Sequence, residues 1–305
     1  MSHTLSPTQK KPYDWVNIAF LTSTPLLALS LTIYFQLTYT GSTVGFWLLA
    51  LVMAIFTGLS ITAGYHRLIS HRAYDAHWSV KLFFLIFGAA AFENSALKWC
   101  SDHRVHHHHV DHDEDPYNIN KGFFYAHIGW IFFKQNDTNP FENRYAKDLV
   151  KDKLVNWQHR YYLALSVLVG LILPGVIGYM MGSFLGGIAI GGFLRLVLVH
   201  HSTFFINSLC HVIGSQTYSK EHSARDSFVM ALLTYGEGYH NFHHTFPSDY
   251  RNGIKWYHFD PTKWLIKTLT VVGLAEKLKK APERLINEAK AKVMQEMNKN
   301  KLNYV

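Results

Sequence analysis

The chain has 305 residues, 49% of them hydrophobic and 16% charged, with a net charge of +8 and only 2 cysteines. Two cysteines, Cys100 and Cys210, exclude a disulfide-built scaffold and a cysteine-ligated iron–sulfur carrier. The basic residues share their segments with Asp and Glu, with no basic stripe of interleaved aromatics, so the charge does not point to nucleic acid.

Length alone suggests two domains, but hydropathy overrides it. Residues 1–15 form a polar tail with Lys10, Lys11, Pro7 and Pro12, and the apolar segment behind it is too long for a cleavable signal peptide. Val16 to Leu37 carries no charge and as a helix would reach about 33 Å, enough to cross a bilayer. Pro25 inside it predicts a kink that membrane helices tolerate. Val44 to Gly64 is a second such stretch. Leu82 to Phe92 and the run Ile128 to Phe133 are apolar but too short to span, and read as interfacial or core-packed. Tyr162 to Met181 is the third span, and Gly182 to Ile206 the fourth, interrupted only by Arg195.

The connectors within each pair of spans lack Lys and Arg, whereas the N-terminal tail, the long middle segment and the C-terminal part hold them. The positive-inside rule therefore puts both termini and the middle segment in the cytosol. The expected fold is an all-α integral membrane protein with four transmembrane helices in two hairpins, spans 16–37, 44–64, 162–181 and 182–206. A helical cytosolic cap is expected from 65–161 and 207–274, and a basic helical tail from 275–305.

Histidines gather in three clusters: His66 and His71; His103, His106 and His107; His240, His243 and His244. The last two share the pattern His-x-x-His-His, which on a helix puts the rings on one face. His66 and His71, five apart, suit a helix end or a bend. Imidazole is the commonest ligand for iron, zinc and copper, and no single metal needs so many, so the supply fits a dinuclear site. The topology puts all three clusters on one side of the bilayer, as a shared centre requires. Asn207 and His211 lie four apart at the end of the fourth span, and read equally as a functional pair or a helix cap. His108, His109 and His112 read as solvated, His200 and His201 as structural, and His3, His77, His127, His159, His222 and His258 as isolated. Glu237, Asp102 and Asp249 stand close enough in sequence to orient imidazoles, or are solvated acids. Ala54, Gly58 and Gly64 could line a tunnel or pack helices, and packing is favoured for Gly64.

Four stretches carry a resemblance: Ile61-Thr-Ala-Gly-Tyr-His66-Arg-Leu-Ile-Ser-His71-Arg; Asp102-His103-Arg-Val-His106-His107; Asn207-Ser-Leu-Cys-His211; and Gly236-Glu-Gly-Tyr-His240-Asn-Phe-His243-His244-Thr-Phe-Pro. Asp115-Pro116 and Gly122-Phe123-Phe124 add to it. The chain resembles membrane fatty acyl desaturases of the acyl-CoA Δ9, stearoyl-CoA desaturase-like type, over most of Phe46 to Trp264. The resemblance implies two iron ions held by His66, His71, His103, His106, His107, His211, His240, His243 and His244. It assigns Asn207 to an iron-bound water, and so favours function for the Asn207–His211 pair. It implies O₂ as co-substrate and a cis double bond placed in a long-chain acyl thioester such as acyl-CoA. It places Glu93, Trp99 and Thr203 at the bend of the acyl tunnel; the small residues Ala54 and Gly58 are further substrate-site candidates if the second span lines the tunnel's closed end. Two departures stand out: Ser101 replaces a basic residue tied to the carrier's head group, and Glu93 replaces an amide. A buried Glu93 is costly unless protonated or paired.

Breaking an unactivated C–H bond needs an oxidant that side chains cannot supply, which a metal pair can. The chain shows no iron–sulfur pattern, haem-binding domain or dinucleotide fingerprint, so electrons must come from a separate donor. The resemblance suggests a cytochrome b5 or ferredoxin type. A di-iron hydroxylase of acyl chains or alkanes is the closest alternative. A histidine-rich metal transporter or sensor is the alternative from another class, but it would spread ligands along a path through the bilayer. The short N-terminal extension favours a bacterial cytoplasmic membrane over the endoplasmic reticulum.

Overall fold

The computed structural model describes residues 11–134 and 144–302. Four helices are long and apolar enough to cross a membrane: Trp15–Thr38, Val44–Ser70, Lys153–Met180 and Phe184–His211. Three of them run past the stretches read from hydropathy, because each continues into more polar sequence, which in the second and fourth bears site residues. The second carries its box to Ser70, the third begins at Lys153, and the fourth reaches His211.

Burial orders the four. Only 17% of the first span's apolar window is buried, against 56% of the fourth's. Val16, Leu26, Leu37, Leu163 and Met180 stay exposed on these helices. Apolar side chains facing outward over spanning length need lipid, so the chain is a multi-pass membrane protein. Asp14 starts the first span, its carboxylate accepting the Asn17 amide at 3.1 Å. Pro25 lies inside that helix.

The third and fourth spans touch backbone to backbone. A Cβ added at Gly178 would meet the Gly187 Cα at 2.5 Å, so neither position admits a side chain without separating the helices. The turn between them uses Gly182 at φ +99°, and the Ser183 hydroxyl then accepts the Gly186 amide at 3.0 Å. Arg195, the one charge in the fourth span, is fully buried. It donates to the carbonyls of Gly191 at 3.2 Å, Ala90 at 2.7 Å and Gly170 at 2.7 Å. Gly170 and Gly191 sit in π-helical turns of the third and fourth spans. The guanidinium thus ties two spans to the end of the short helix Trp78–Ala89. That helix is the run read as interfacial or core-packed, and the Ile128 to Phe133 run forms a 3₁₀ turn, Gly129–Phe132.

At one end of the bundle lie the helices Ala96–His109, His240–Thr245 and Pro261–Val271. Ser95 caps the first and Asp260 the last, each through a side-chain oxygen on an early amide. A two-residue antiparallel pair, Asp75–Ala76 with Ala275–Glu276, joins the cap to the C-terminal segment. Beyond it runs the helix Glu283–Leu302.

Candidate metal centre

The second span does not continue as an α-helix into its histidines. From Ser60 to Ser70 it winds as a π-helix, whose repeat links residues five apart. The His71 amide donates to the His66 carbonyl at 3.1 Å, and the two rings lie 4.8 Å apart. The five-residue spacing is therefore a π turn. The helix Ala96–His109 carries His103, His106 and His107 on one face, and His240–Thr245 carries His240, His243 and His244. The fourth span's α-helix stops at Asn207, and the 3₁₀ turn Leu209–His211 follows. Asn207 and His211 thus do not share one continuous helix face, which corrects the i, i+4 reading. The break at Ser208 separates them: His211 joins the histidines and Asn207 faces a cavity.

Nine imidazoles form two groups. His66, His71, His103, His107 and His243 make one; His106, His211, His240 and His244 make the other. In each group the candidate ligand atoms lie within 4.8 Å of one another. His243 Nε2 is 3.0 Å from His66 Nε2 and 3.0 Å from His107 Nε2, and His71 Nε2 is 2.9 Å from His103 Nε2. In the second group His244 Nε2 is 3.3 Å from His106 Nε2 and 3.1 Å from His240 Nε2. The groups adjoin, with His107 stacked on His244 at 4.3 Å.

The outer atoms fix which nitrogen faces inward. Glu237 accepts from His66 Nδ1 at 2.9 Å, and Asp115 accepts from His106 Nδ1 at 2.8 Å. Ser223 Oγ donates to Asp111 at 2.6 Å, so it accepts from His211 Nδ1 at 2.7 Å. His66, His106 and His211 therefore point bare Nε2 lone pairs into the groups, and the His211 Nε2 is buried with no hydrogen-bond partner. Lone pairs converging in a buried space repel one another unless a cation stands among them. Burial first, then neighbouring positive groups, holds His71, His103, His107, His240, His243 and His244 well below the ordinary imidazole range. They are neutral, the form that binds metal. The residues fit two metal ions.

Glu237 is itself held. Arg67 donates to its Oε1 through Nη2 at 2.8 Å and binds Asp260 through both terminal nitrogens at 3.0 and 3.1 Å. Burial works against the Glu237 charge, but Arg67 and His66 outweigh it and hold the carboxyl at about 2. The other two acids considered from sequence do not reach imidazoles. Asp102 is paired with Lys98 at 2.6 Å, and Asp249 with Arg251 at 2.8 Å. Asp115, Asp111 and Ser223 take the orienting role, which nearness in sequence could not reveal for Ser223 and Asp111. His222, read as isolated, packs against the His244 ring at 5.2 Å.

A cavity of about 750 Å³ reaches this centre. His66, His103, Glu237 and Asn207 line it, together with Glu93, Trp99 and Thr203. Trp99 stacks on His103 at 5.0 Å and donates from Nε1 to Glu93 at 3.2 Å. Burial raises the Glu93 carboxyl to about 7, with Thr203 and Trp99 opposing. Ala54 and Gly58 are not among the lining residues. The Ala54 carbonyl accepts the Tyr235 hydroxyl at 3.1 Å, and a Cβ on Gly58 would strike the Tyr235 ring at 2.3 Å. Gly58 thus packs against Tyr235, and Ala54 packs against the core cluster that holds Ile61, Tyr65 and Val199. Gly64 packs against Phe84. Among the sequence-stretch neighbours, His108 and His112 are exposed.

Four lipid-facing spans and a two-part histidine centre opening onto an apolar cavity define a membrane protein with a buried, metal-binding type of site. The family model described as fatty acid desaturase matches residues 42–271, and the chain belongs to that family. It is 41% identical over 281 residues to acyl-CoA desaturase 1 of Saccharomyces cerevisiae, covering 90% of this chain and 54% of that protein. It is 45% identical over 251 residues to a probable acyl-CoA desaturase of Schizosaccharomyces pombe, covering 82% and 52%. It is 35% identical over 271 residues to an sn-2 palmitoyl-lipid 9-desaturase of Nostoc, covering 88% and 91%. The chain spans about half the length of the two yeast relatives. Kinship with both yeast and Nostoc proteins gives the bacterial membrane no preference over the endoplasmic reticulum.

Proposed function

We propose that this chain is an O₂-dependent fatty acyl desaturase that introduces a cis double bond, at Δ9, into a saturated long-chain acyl thioester. The observation that carries the reading is the cavity, whose apolar wall runs directly to His66, His103 and Asn207. Its volume of about 750 Å³ falls in the range of small-molecule sites. The two yeast relatives, named as acyl-CoA desaturases, support an acyl-CoA substrate, and the Nostoc relative supports the Δ9 position.

The centre would hold two irons, one on His66, His71, His103, His107 and His243, the other on His106, His211, His240 and His244. When bound, the irons supply the oxidising power for C–H cleavage that side chains lack. The protein's own residues do the rest. Glu237, Asp115 and Ser223 orient the rings and keep their inner nitrogens bare. Asn207, on the cavity wall, is placed to hold a water by its amide. Trp99, stacked on His103, forms wall between the chain and the centre, and with Thr203 and Glu93 fixes where the chain bends. Lys134 on the same cavity suits an anionic carrier, with Ser101 buried rather than facing it. The basic residues of the cap, which we place with both termini in the cytosol, suit an acidic electron donor of the cytochrome b5 or ferredoxin type.

The test is expression of the full chain, with a donor, in cells of defined lipid composition, with products mapped by mass spectrometry. New cis double bonds at one fixed carbon pair are expected. Hydroxylated chains without new double bonds would replace this reading with a hydroxylase, and an unchanged lipid profile in metal-loaded cells would overturn it.

A further inference from the structure

Glu93 stands in the wall of the cavity read above as the acyl site, in a loop built to keep it there. Phe92 and Asn94, on either side, both have left-handed backbone, φ 56° and 80°. Non-glycine residues hold such angles only where their surroundings enforce them, and these positions gather at functional sites. The enforcement is visible. Arg195 donates to the Ala90 carbonyl at 2.7 Å, and His200 Nε2 donates to the Ala91 carbonyl at 2.7 Å. The Asn94 amide donates to the Tyr162 hydroxyl at 3.0 Å.

The carboxyl so placed shares the cavity wall with Phe20, Ile61, Phe92 and Phe204. Trp99 Nε1 donates to its Oε2, and its Oε1 is buried with no hydrogen-bond partner. The charged and titratable groups around it are engaged elsewhere. Lys98 grips both Asp102 oxygens at 2.6 and 2.9 Å. Arg195 and His200 hold the backbone carbonyls just named, and Arg67 holds Glu237 and Asp260. Tyr65 receives the Gln158 amide at 2.8 Å, Tyr162 receives Asn94, and Asp14 caps the first span. Lys134 lines the same cavity, yet no lysine or arginine is among the groups acting on the Glu93 charge.

We propose that Glu93 makes the acyl site proton-dependent: the neutral acid admits a saturated alkyl chain, and the carboxylate excludes it. The proposal rests on reading the cavity as the acyl site. A chain that fills the cavity displaces the water that would otherwise hydrate the carboxyl. A carboxylate left there would have only the neutral donors Trp99 and Thr203 to face and no cation, which is costly. The neutral acid costs far less. Burial already brings the group to about 7 before any chain enters, so both forms are populated near neutrality. Glu93→Gln keeps the shape and the Trp99 bond but removes the charge.

The experiment measures equilibrium binding of a radiolabelled long-chain saturated acyl thioester to the metal-loaded full chain in lipid nanodiscs. It runs from pH 6 to 8.5 on the wild type, Glu93→Gln and Thr203→Trp, with the metal content of each verified. For a group titrating near 7, the wild-type affinity is expected to fall about thirtyfold across that range. Glu93→Gln should bind with an affinity that stays flat. Any titration of the carrier's phosphates is common to both, so the difference between them reports Glu93. Thr203→Trp, which fills the cavity, should lose binding at every pH. A flat wild-type profile, or a Gln variant with the wild-type profile, overturns the role of Glu93 and leaves the acyl site standing. Undiminished binding by Thr203→Trp overturns the acyl site itself.

Discussion

His211 is set by atoms that touch no metal. Its Nδ1–H donates a hydrogen bond to Ser223, the Ser223 hydroxyl donates to Asp111, and the inner nitrogen is left bare and buried. Asp111 holds this relay from a left-handed backbone, φ 66°. Removing a ligand and removing a support should therefore differ in kind. His106→Ala, His107→Ala, His243→Ala and His244→Ala are each expected to abolish turnover and lower bound metal, whereas His109→Ala and His112→Ala keep both. Elemental analysis beside turnover checks this, and full activity in any of the first four would break the assignment. Asp115→Ala removes the partner of His106, together with the acceptor of the Asp111 and Tyr117 amides, and should weaken metal binding by about 10–100-fold, read by competition with a chelator. Asn207→Ala should lower turnover at normal expression and normal metal content, because its amide lines the cavity and belongs to neither ligand group. Unchanged turnover would leave Asn207 as the last residue of its helix and nothing more.

The π segment Ser60–Ser70 is the element on which the centre turns. It brings His66 and His71 together and carries Arg67, which donates to Glu237, Asp260 and the Tyr250 carbonyl. Arg104 clamps the box helix to the same segment through the Ser70 and Ile69 carbonyls and binds Asp148 with two nitrogens. Partial burial works against the Asp148 charge, but Arg104 and Arg72 hold it at about 2, below its ordinary 3.8. A depressed carboxyl pKa adds stability above the ordinary value and loses it as pH falls toward the folded one. Asp148→Asn should thus lower the thermal midpoint at neutral pH, and the gap from wild type should close between about pH 4 and 2. An equal gap at pH 5 and pH 2.5 would contradict the clamp. Gly58→Leu tests the second span's other face. It should reduce folded yield by forcing Tyr235 aside while leaving the chain-length profile of any product unchanged. A shift to shorter chains would put the tunnel there after all.

The elements differ in how far they can be read without coordinates. The spans were legible because twenty or so uncharged residues have one physical use, the eight histidines of the three clusters because their spacing is specific, and His211 only through the family resemblance. The π turn was not legible, since five-residue spacing fits a bend as well as a wound helix. Nor were Ser223 and Asp111, whose partners lie far away in sequence and whose side chains are common on any surface. Asp102 and Asp249 show the converse: each stands close in sequence to a ligand but pairs with a nearby cation, Lys98 or Arg251, because closeness in sequence does not aim a carboxylate. Ala54 and Gly58 are ambiguous in the sequence because small residues serve packing and tunnels alike; in the structure Gly58 lies against the Tyr235 ring.

At the scale of the whole molecule, the bundle has two jobs. Its outer faces meet lipid, and its polar end holds nine imidazoles away from water beside an apolar cavity. Zinc competes well for such nitrogen sites, so a recombinant sample filled with zinc should keep its thermal midpoint and lose turnover, and iron exchange should restore it. If turnover survives with zinc alone, the redox account fails. The central claim is that the two histidine groups are two metal sites of one working centre. Elemental analysis of purified, active protein tests it most directly. About two irons per chain are expected, one for each group, with activity rising in proportion to iron. Active protein holding one metal per chain, or none, would contradict it.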